Sequence, residues 1–210
     1  MTRRRTASIA DARPISRWPV PRLEDLPDDI RVQIETVAEK TGFVPNVFLA
    51  LAHRPAEWRA FFAYHDAVMD REGGGLSAAD RQLIVVATSA ANDCLYCVVA
   101  HGAVARIRAR DPLIADQVTV DWRKADLTDR QKAMLAFAVK LALRPAEVGE
   151  EDIDGLRGHG FTDDDIWDIG AITALFALSN RMAHLTAMRP NDEFFLMGRL
   201  SKEQMARLQS

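Results

Sequence analysis

Cys94 and Cys97 are the only two cysteines of the chain, and they stand as Cys-x-x-Cys with His101 four residues further on. On one helix, at about 100° per residue, these three side chains fall within an arc of roughly 60°, so a single face presents two thiols and an imidazole. Thiol chemistry needs the thiolate, and a cysteine with a pKa of ~8.5 is mostly protonated at neutral pH. Three local features favour ionisation. A helix N-terminus near Asn92 or Asp93 supplies partial positive charge, the second thiol donates a hydrogen bond, and His101 serves as a base or, once protonated, as a counter-ion. The second cysteine also captures a sulfenic acid as a disulfide before further oxidation. Two other readings stay open. Each cysteine can be a small buried hydrophobe, and Cys94, Cys97 and His101 can be three zinc ligands, with the fourth drawn from His53, His65, His159, His184 or a carboxylate.

Composition limits what surrounds this pair. The chain has 210 residues, 48% hydrophobic and 27% charged, with a net charge of -3. Those values suit a globular chain and exclude disorder or a collagen-like structure for its bulk. Two cysteines exclude a disulfide-stapled scaffold. A pI near 6.0 gives no electrostatic footprint for nucleic acid, and no charge-free stretch approaches 18 apolar residues, so no membrane span is expected. The cytoplasm is the expected compartment, where a reduced Cys-x-x-Cys is redox-active or metal-binding. Arg3, Arg4 and Arg5 are not followed by an apolar segment. Residues 1–18 are therefore expected to form a disordered basic arm, and 19–210 a single domain.

Apolar residues recur at helical spacing, as in Ile30, Ile34, Val37 and then Val44, Val47, Phe48, Leu51, and no run alternates with period two. The fold class predicted is all-α. Pro45 and Pro55 suit first-turn positions, Gly73-Gly74-Gly75 breaks the chain, and Ser77, Thr128 and Thr162 are predicted N-caps, Thr128 with Gln131 at capping-box spacing. Arg54-Pro55-Ala56-Glu57 recurs as Arg144-Pro145-Ala146-Glu147. Gly75-Leu76-Ser77 with Asp80 recurs in type as Gly160-Phe161-Thr162 with Asp165. Two related halves are expected on this basis, about 28–120 and 121–195, with a helical tail to 210. Only the first carries cysteines; Ser179 and Met182 stand at the corresponding places of the second.

Leu76 to Gln82, the apolar stretch Leu83 to Asn92, then Cys94-Leu95-Tyr96-Cys97 and His101 resemble the signature of the AhpD-like alkylhydroperoxidase and carboxymuconolactone decarboxylase superfamily. Gly42 to Asn46, Phe61 to Tyr64 and Ser179 to Ala183 are similar to its branch of peroxidase-related proteins. The resemblance implies an all-helical fold of two related halves, a homo-oligomer, and a peroxide-reducing dithiol. It implies that Cys97 forms the sulfenic acid, that Cys94 donates a proton and resolves it, and that His101 belongs to a proton relay. The relay of the alkylhydroperoxidases also uses a glutamate twelve residues before the first cysteine, where this chain has Gln82. Glutamine orients a neighbour by hydrogen bonding but accepts no proton. A histidine often found between the two cysteines is replaced by Tyr96.

The remaining candidates are weaker. Asp80 reads chiefly as the carboxylate supporting the Ser77 cap, with a relay role as the alternative. His65 reads as a surface or core histidine that can also line the pocket, and His184 reaches the dithiol if the halves pack pseudo-symmetrically. Loop or cap roles suffice for His53 and His159, and core or oligomer contacts for Trp58, Trp122, Trp167 and Phe176. Gly73 to Gly75 lacks the spacing of a phosphate loop. The expected function is a hydroperoxide reductase with a peroxide substrate and an external dithiol reductant, using no metal or other cofactor, and binding neither nucleic acid nor membrane. The alternative is a redox sensor or disulfide carrier with little turnover. Lactone decarboxylation is a third reading, which makes no use of a paired thiol.

Overall fold

A computed structural model describes residues 14–199. Its helices are α1 (Asp28–Thr41), α2 (Asn46–Leu51), α3 (Pro55–Met69), α4 (Ala78–Ala91), α5 (Leu95–Ala109), α6 (Ile114–Asp121), α7 (Asp129–Leu143), α8 (Glu150–Gly158), α9 (Asp163–Thr186) and α10 (Glu193–Leu196). The architecture is all-helical among these residues. No described helix is long and apolar enough to cross a membrane.

The centre is α4, which packs against α5, α6, α7 and α9. A helix surrounded on all sides needs apolar residues on every face rather than a stripe, and Leu83, Ile84, Val85, Val86 and Ala87 are all buried in succession. Burying one such side chain stabilises the fold by about 1.5–3 kcal/mol. A second cluster forms where Ile30 and Ile34 of α1 meet Trp58 and Phe62 of α3, and Phe48 of α2 stacks on Phe62 with ring centroids 4.4 Å apart.

Side-chain caps start the long helices as their sequences predict. Ser77, Thr128 and Thr162 each accept from the backbone three residues on, and Asp80, Gln131 and Asp165 accept the reciprocal bond. Pro55 is the first residue of α3. Pro45 falls one residue outside α2, as its extended cap.

The two repeated strings share local bonding and then diverge. Arg54 pairs with Glu57 at 2.6 Å and Arg144 with Glu147 at 3.1 Å. The first string opens a 15-residue helix, whereas the second makes only a 3-10 turn over Pro145–Glu147. Likewise α4 stops at Ala91 and the chain restarts at Leu95, while α9 runs unbroken for 24 residues.

Charged residues fasten these helices from inside. Arg81 of α4, 2% exposed, donates to Asp168 of α9 at 2.7 Å and to the Val68 carbonyl of α3 at 2.8 Å. Arg71 donates to the other oxygen of Asp168 at 2.7 Å. The Gly75 N–H donates to Asp165 at 2.5 Å, and a Cβ there would lie 2.6 Å from the same carboxylate. Gly75→Ala is therefore expected to cost about 1–3 kcal/mol through overpacking, read as a lower denaturant midpoint at unchanged slope. The same substitution at Gly155, whose Cβ would meet nothing within 4 Å, is the control.

Both chain ends bear on the expected boundaries. Residues 1–13 of the expected arm and 200–210 of the expected tail lie outside the described residues. Residues 14–18 lie against the end of α9, where Arg17 N–H donates to Thr186 at 2.6 Å and Arg189 N–H donates to Ile15 at 3.0 Å. Backbone pairing to the rest of the domain thus begins before residue 19.

Candidate active site

The dithiol sits at the junction of α4 and α5, and the backbone explains its position. Asp93 adopts a left-handed φ of 53°, a conformation that aspartate tolerates better than most residues. The Asp93 N–H bonds to Ala90 at 3.1 Å and the Cys94 N–H to Ser89 at 2.9 Å, the paired bonds of a Schellman ending. Cys94 then caps α5 in extended conformation. The helix therefore starts at Leu95, two residues after Asp93 and three after Asn92, because the left-handed residue interrupts the chain. Cys97 lies in its first turn and His101 one turn further on.

Both thiols are free and each is 1% exposed. Hydrogen bonding from Cys97 pulls the Cys94 thiol down to about 7 against the opposing effect of burial, and the Cys97 N–H, the charge of His184 and the Tyr96 N–H act in the same direction. Cys97 is held well above the usual thiol range by the hydrogen bond to Cys94, by burial and by the Cys94 charge, while the hydroxyls of Ser179 and Ser89 pull it down. Cys97 Sγ lies 3.6 Å from Ser179 Oγ. The environment thus favours Cys94 over Cys97 as the first of the pair to ionise.

His101 faces Gln82 of α4. Its Nδ1 lies 2.8 Å from Gln82 Oε1, so Nδ1–H donates to the amide oxygen and Nε2 is left as the acceptor in the neutral ring. Phe176 of α9 meets the ring edge-to-face at 4.6 Å, and the His65 ring centroid is 6.5 Å away. Protein packed around the ring strips its hydration and pushes the imidazole down to about 3, with His65 acting in the same direction. His101 is neutral near pH 7 for that reason.

The other candidates separate. His184 Nε2–H donates to the Asn92 carbonyl at 2.9 Å, which brings α9 to the turn before Cys94. His65 joins the His101 and Phe176 group while its Nδ1 lies 3.1 Å from Asp66. Tyr96 is buried and its hydroxyl accepts the Val47 N–H at 3.1 Å; burial pushes its pKa up. Asp80 has both oxygens engaged, one by Ser77 and the other by Gln131 at 2.9 Å, which occupies it as a cap rather than beside His101. Ser89, Ser179 and Asn180 lie in segments that carry the family resemblance, but the sequence assigns none of them a role, naming Ser179 otherwise only as the counterpart of a cysteine. Polar residues inside the otherwise apolar runs of α4 and α9 were the available signal. A surface cavity of about 500 Å³ lined by Tyr64, Phe137 and Trp167 contains none of the dithiol residues. Among the described residues no group of three His, Cys, Asp or Glu is placed to hold a metal ion.

The geometry can be set beside known proteins. The model of the carboxymuconolactone decarboxylase family matches residues 55–112, the stretch from α3 to α5 that holds Gln82, both cysteines and His101. No curated protein matches the chain. A peroxidase-related protein from Ralstonia eutropha JMP134, described as an alkylhydroperoxidase AhpD core, is 65% identical over 91% of this chain and 100% of its own, with a TM-score of 0.89. A peroxidase-related protein from Silicibacter sp. TM1040 is 38% identical over 91% of this chain and 100% of its own, with a TM-score of 0.84. The debrominase Bmp8, 19% identical over 88% of this chain and 95% of its own with a TM-score of 0.68, shares the fold. With an all-helical core matching along nearly its whole length at such identity, this chain belongs to the AhpD-like carboxymuconolactone decarboxylase superfamily.

Proposed function

We propose that the protein is a thiol-dependent hydroperoxide reductase. Cys97, as thiolate, attacks one peroxide oxygen; the O–O bond breaks, the alkoxide leaves with the bonding pair and takes a proton, and sulfur is oxidised to the sulfenic acid. Cys94 then attacks that sulfur, the oxygen leaves as water after protonation, and a disulfide closes. An external dithiol reduces it by exchange. Overall, two thiols and one hydroperoxide give a disulfide, an alcohol and water. The scheme uses no metal, haem or flavin and suits a reducing compartment such as the cytoplasm.

The observation that carries this reading is the pair of free, buried thiols at the start of α5, Cys94 as its cap and Cys97 in its first turn. A thiolate and a thiol side by side provide nucleophile and acid together. Cys94 is the more acidic of the two, so attack by Cys97 proceeds with transfer of its proton to Cys94, which then protonates the departing alkoxide. The rate is expected to fall as pH drops below about 7, where the pair takes up a second proton. A homo-oligomer is supported by the apolar residues that α9 leaves in solvent, Trp167, Leu178 and Leu185.

Two features favour the sensor or carrier reading as second choice: His101 is neutral on an amide rather than paired with a carboxylate, and both thiols are sealed from solvent. Consumption of an organic hydroperoxide with excess dithiothreitol separates the two readings. Repeated turnover is expected of the reductase; a single stoichiometric oxidation indicates the sensor. Gln82→Glu tests the relay itself. A carboxylate accepting from Nδ1–H favours the imidazolium and lifts His101 towards its ordinary range, so the peroxide rate near pH 7 is expected to rise about tenfold or more. An unchanged rate means the relay is not limiting.

A further inference from the structure

We propose that Ser89, Ser179 and Asn180 form a buried pocket that binds the oxygen Cys97 receives from a hydroperoxide, which deepens the reductase reading and rests on it. Ser89 and Ser179 approach Cys97 from two helices, and Asn180 joins them through Ser89. Ser89 of α4 accepts the Cys94 N–H through its carbonyl at 2.9 Å, and its hydroxyl donates to Asn180 Oδ1 at 3.0 Å. Ser179, the neighbour of Asn180 on α9, places Oγ 3.6 Å from Cys97 Sγ. Ser89 is 0% and Asn180 1% exposed.

The decisive group is Asn180 Nδ2. It is the one buried side-chain nitrogen or oxygen among the described residues that lacks a hydrogen-bond partner. Buried polar groups are almost always paired, because an unpaired one loses its water and gains nothing in return. Turning the amide over puts Nδ2 on Ser89 and leaves Oδ1 unpaired instead. In either orientation one amide atom of the side chain bonded to the Ser89 hydroxyl lacks a partner.

A sulfenic acid is complementary to that set. Its oxygen accepts from an amide N–H or a hydroxyl, and its O–H donates to an amide or hydroxyl oxygen. During attack, the sulfur lone pair forms the S–O bond, the O–O bond breaks and the alkoxide leaves; the oxygen that stays on sulfur becomes the partner that the Asn180 amide lacks. Donors fixed in advance around a developing polar group lower the barrier because nothing reorients during the reaction. The same hydroxyls lower the Cys97 thiol pKa. The chemical class bound is a hydroperoxide presenting an unsubstituted O–H to Cys97; a dialkyl peroxide lacks one.

The test uses the Cys94→Ser protein, in which the sulfenic acid at Cys97 is not resolved. The rate of oxygen addition at Cys97 from tert-butyl hydroperoxide is followed by mass spectrometry with dimedone trapping, and alkylation of Cys97 by iodoacetamide at the same pH reports thiolate availability. Asn180→Leu, added to this background, is expected to slow oxygen addition about tenfold or more while alkylation changes less than about twofold, because the amide is hydrogen-bonded to Ser89 and not to the Cys97 sulfur. Equal slowing of both reactions, or of neither, overturns the pocket. If Asn180→Leu does not fold, Asn180→Ala is read the same way, with the same two outcomes. Absence of oxygen addition in the Cys94→Ser parent overturns the reductase reading and the pocket with it, whereas normal addition in parent and variant alike overturns the pocket alone.

Discussion

Replacing Cys97 by serine is expected to lower the peroxide reaction more than about a thousandfold, since a hydroxyl supplies almost no anion at neutral pH and no polarisable nucleophile. Serine keeps a hydrogen-bonding group of similar size 3.6 Å from Ser179 and beside Cys94, so the melting temperature should move little and the loss can be assigned to chemistry. Cys94→Ser is expected to behave differently. The first equivalent of peroxide is still consumed, but the sulfenic acid on Cys97 has no resolving partner and proceeds to higher oxides when more peroxide is added. A first equivalent followed by slower over-oxidation and no sustained turnover, against no burst in Cys97→Ser, distinguishes the two cysteines by role. The reverse pattern would assign the attack to Cys94, the thiol whose pKa is the lower of the two.

The second large effect concerns stability. Asp168→Leu removes the carboxylate that receives both Arg81 and Arg71, leaving the Arg81 guanidinium, 2% exposed, with only the Val68 carbonyl. An uncompensated buried charge costs about 3–5 kcal/mol, a large part of the ~5–15 kcal/mol that holds a domain together. Urea unfolding should show the loss as a lower midpoint. The double variant Arg81→Met with Asp168→Leu is expected to recover most of it, because apolar residues of similar volume replace the pair without a stranded charge. Failure of the double variant to recover would mean that α3, α4 and α9 depend on the ion pair for their register rather than for charge balance.

How far the sequence reveals this structure depends on the range of the interactions. Helix starts at Ser77, Thr128 and Thr162 are legible because a capping box involves only four consecutive residues. The α4 interior is legible from its unbroken apolar run. The start of α5 is misjudged by two residues, because the left-handed turn at Asp93 is settled by bonds to Ser89 and Ala90 that periodicity does not register. At the site, Cys94, Cys97 and His101 are found by spacing within one stretch, and Gln82, which meets His101, only through the family resemblance. Ser89 and Asn180 are not, since what marks them is a contact across 91 residues and an amide without a partner. Arg81 and Asp168 pass unnoticed for the same reason: a charge within a long helix looks like a solvated face until the helix is seen to be central.

The central claim is that peroxide oxygen is delivered to Cys97 and resolved by Cys94. One equivalent of an organic hydroperoxide added to the reduced protein, followed by quenching with acid and peptide mapping, tests it directly. The account predicts loss of two hydrogens and a Cys94–Cys97 disulfide formed in step with the alcohol product. Unmodified thiols after the peroxide has been consumed, or oxygen retained on either sulfur without a disulfide, would contradict it.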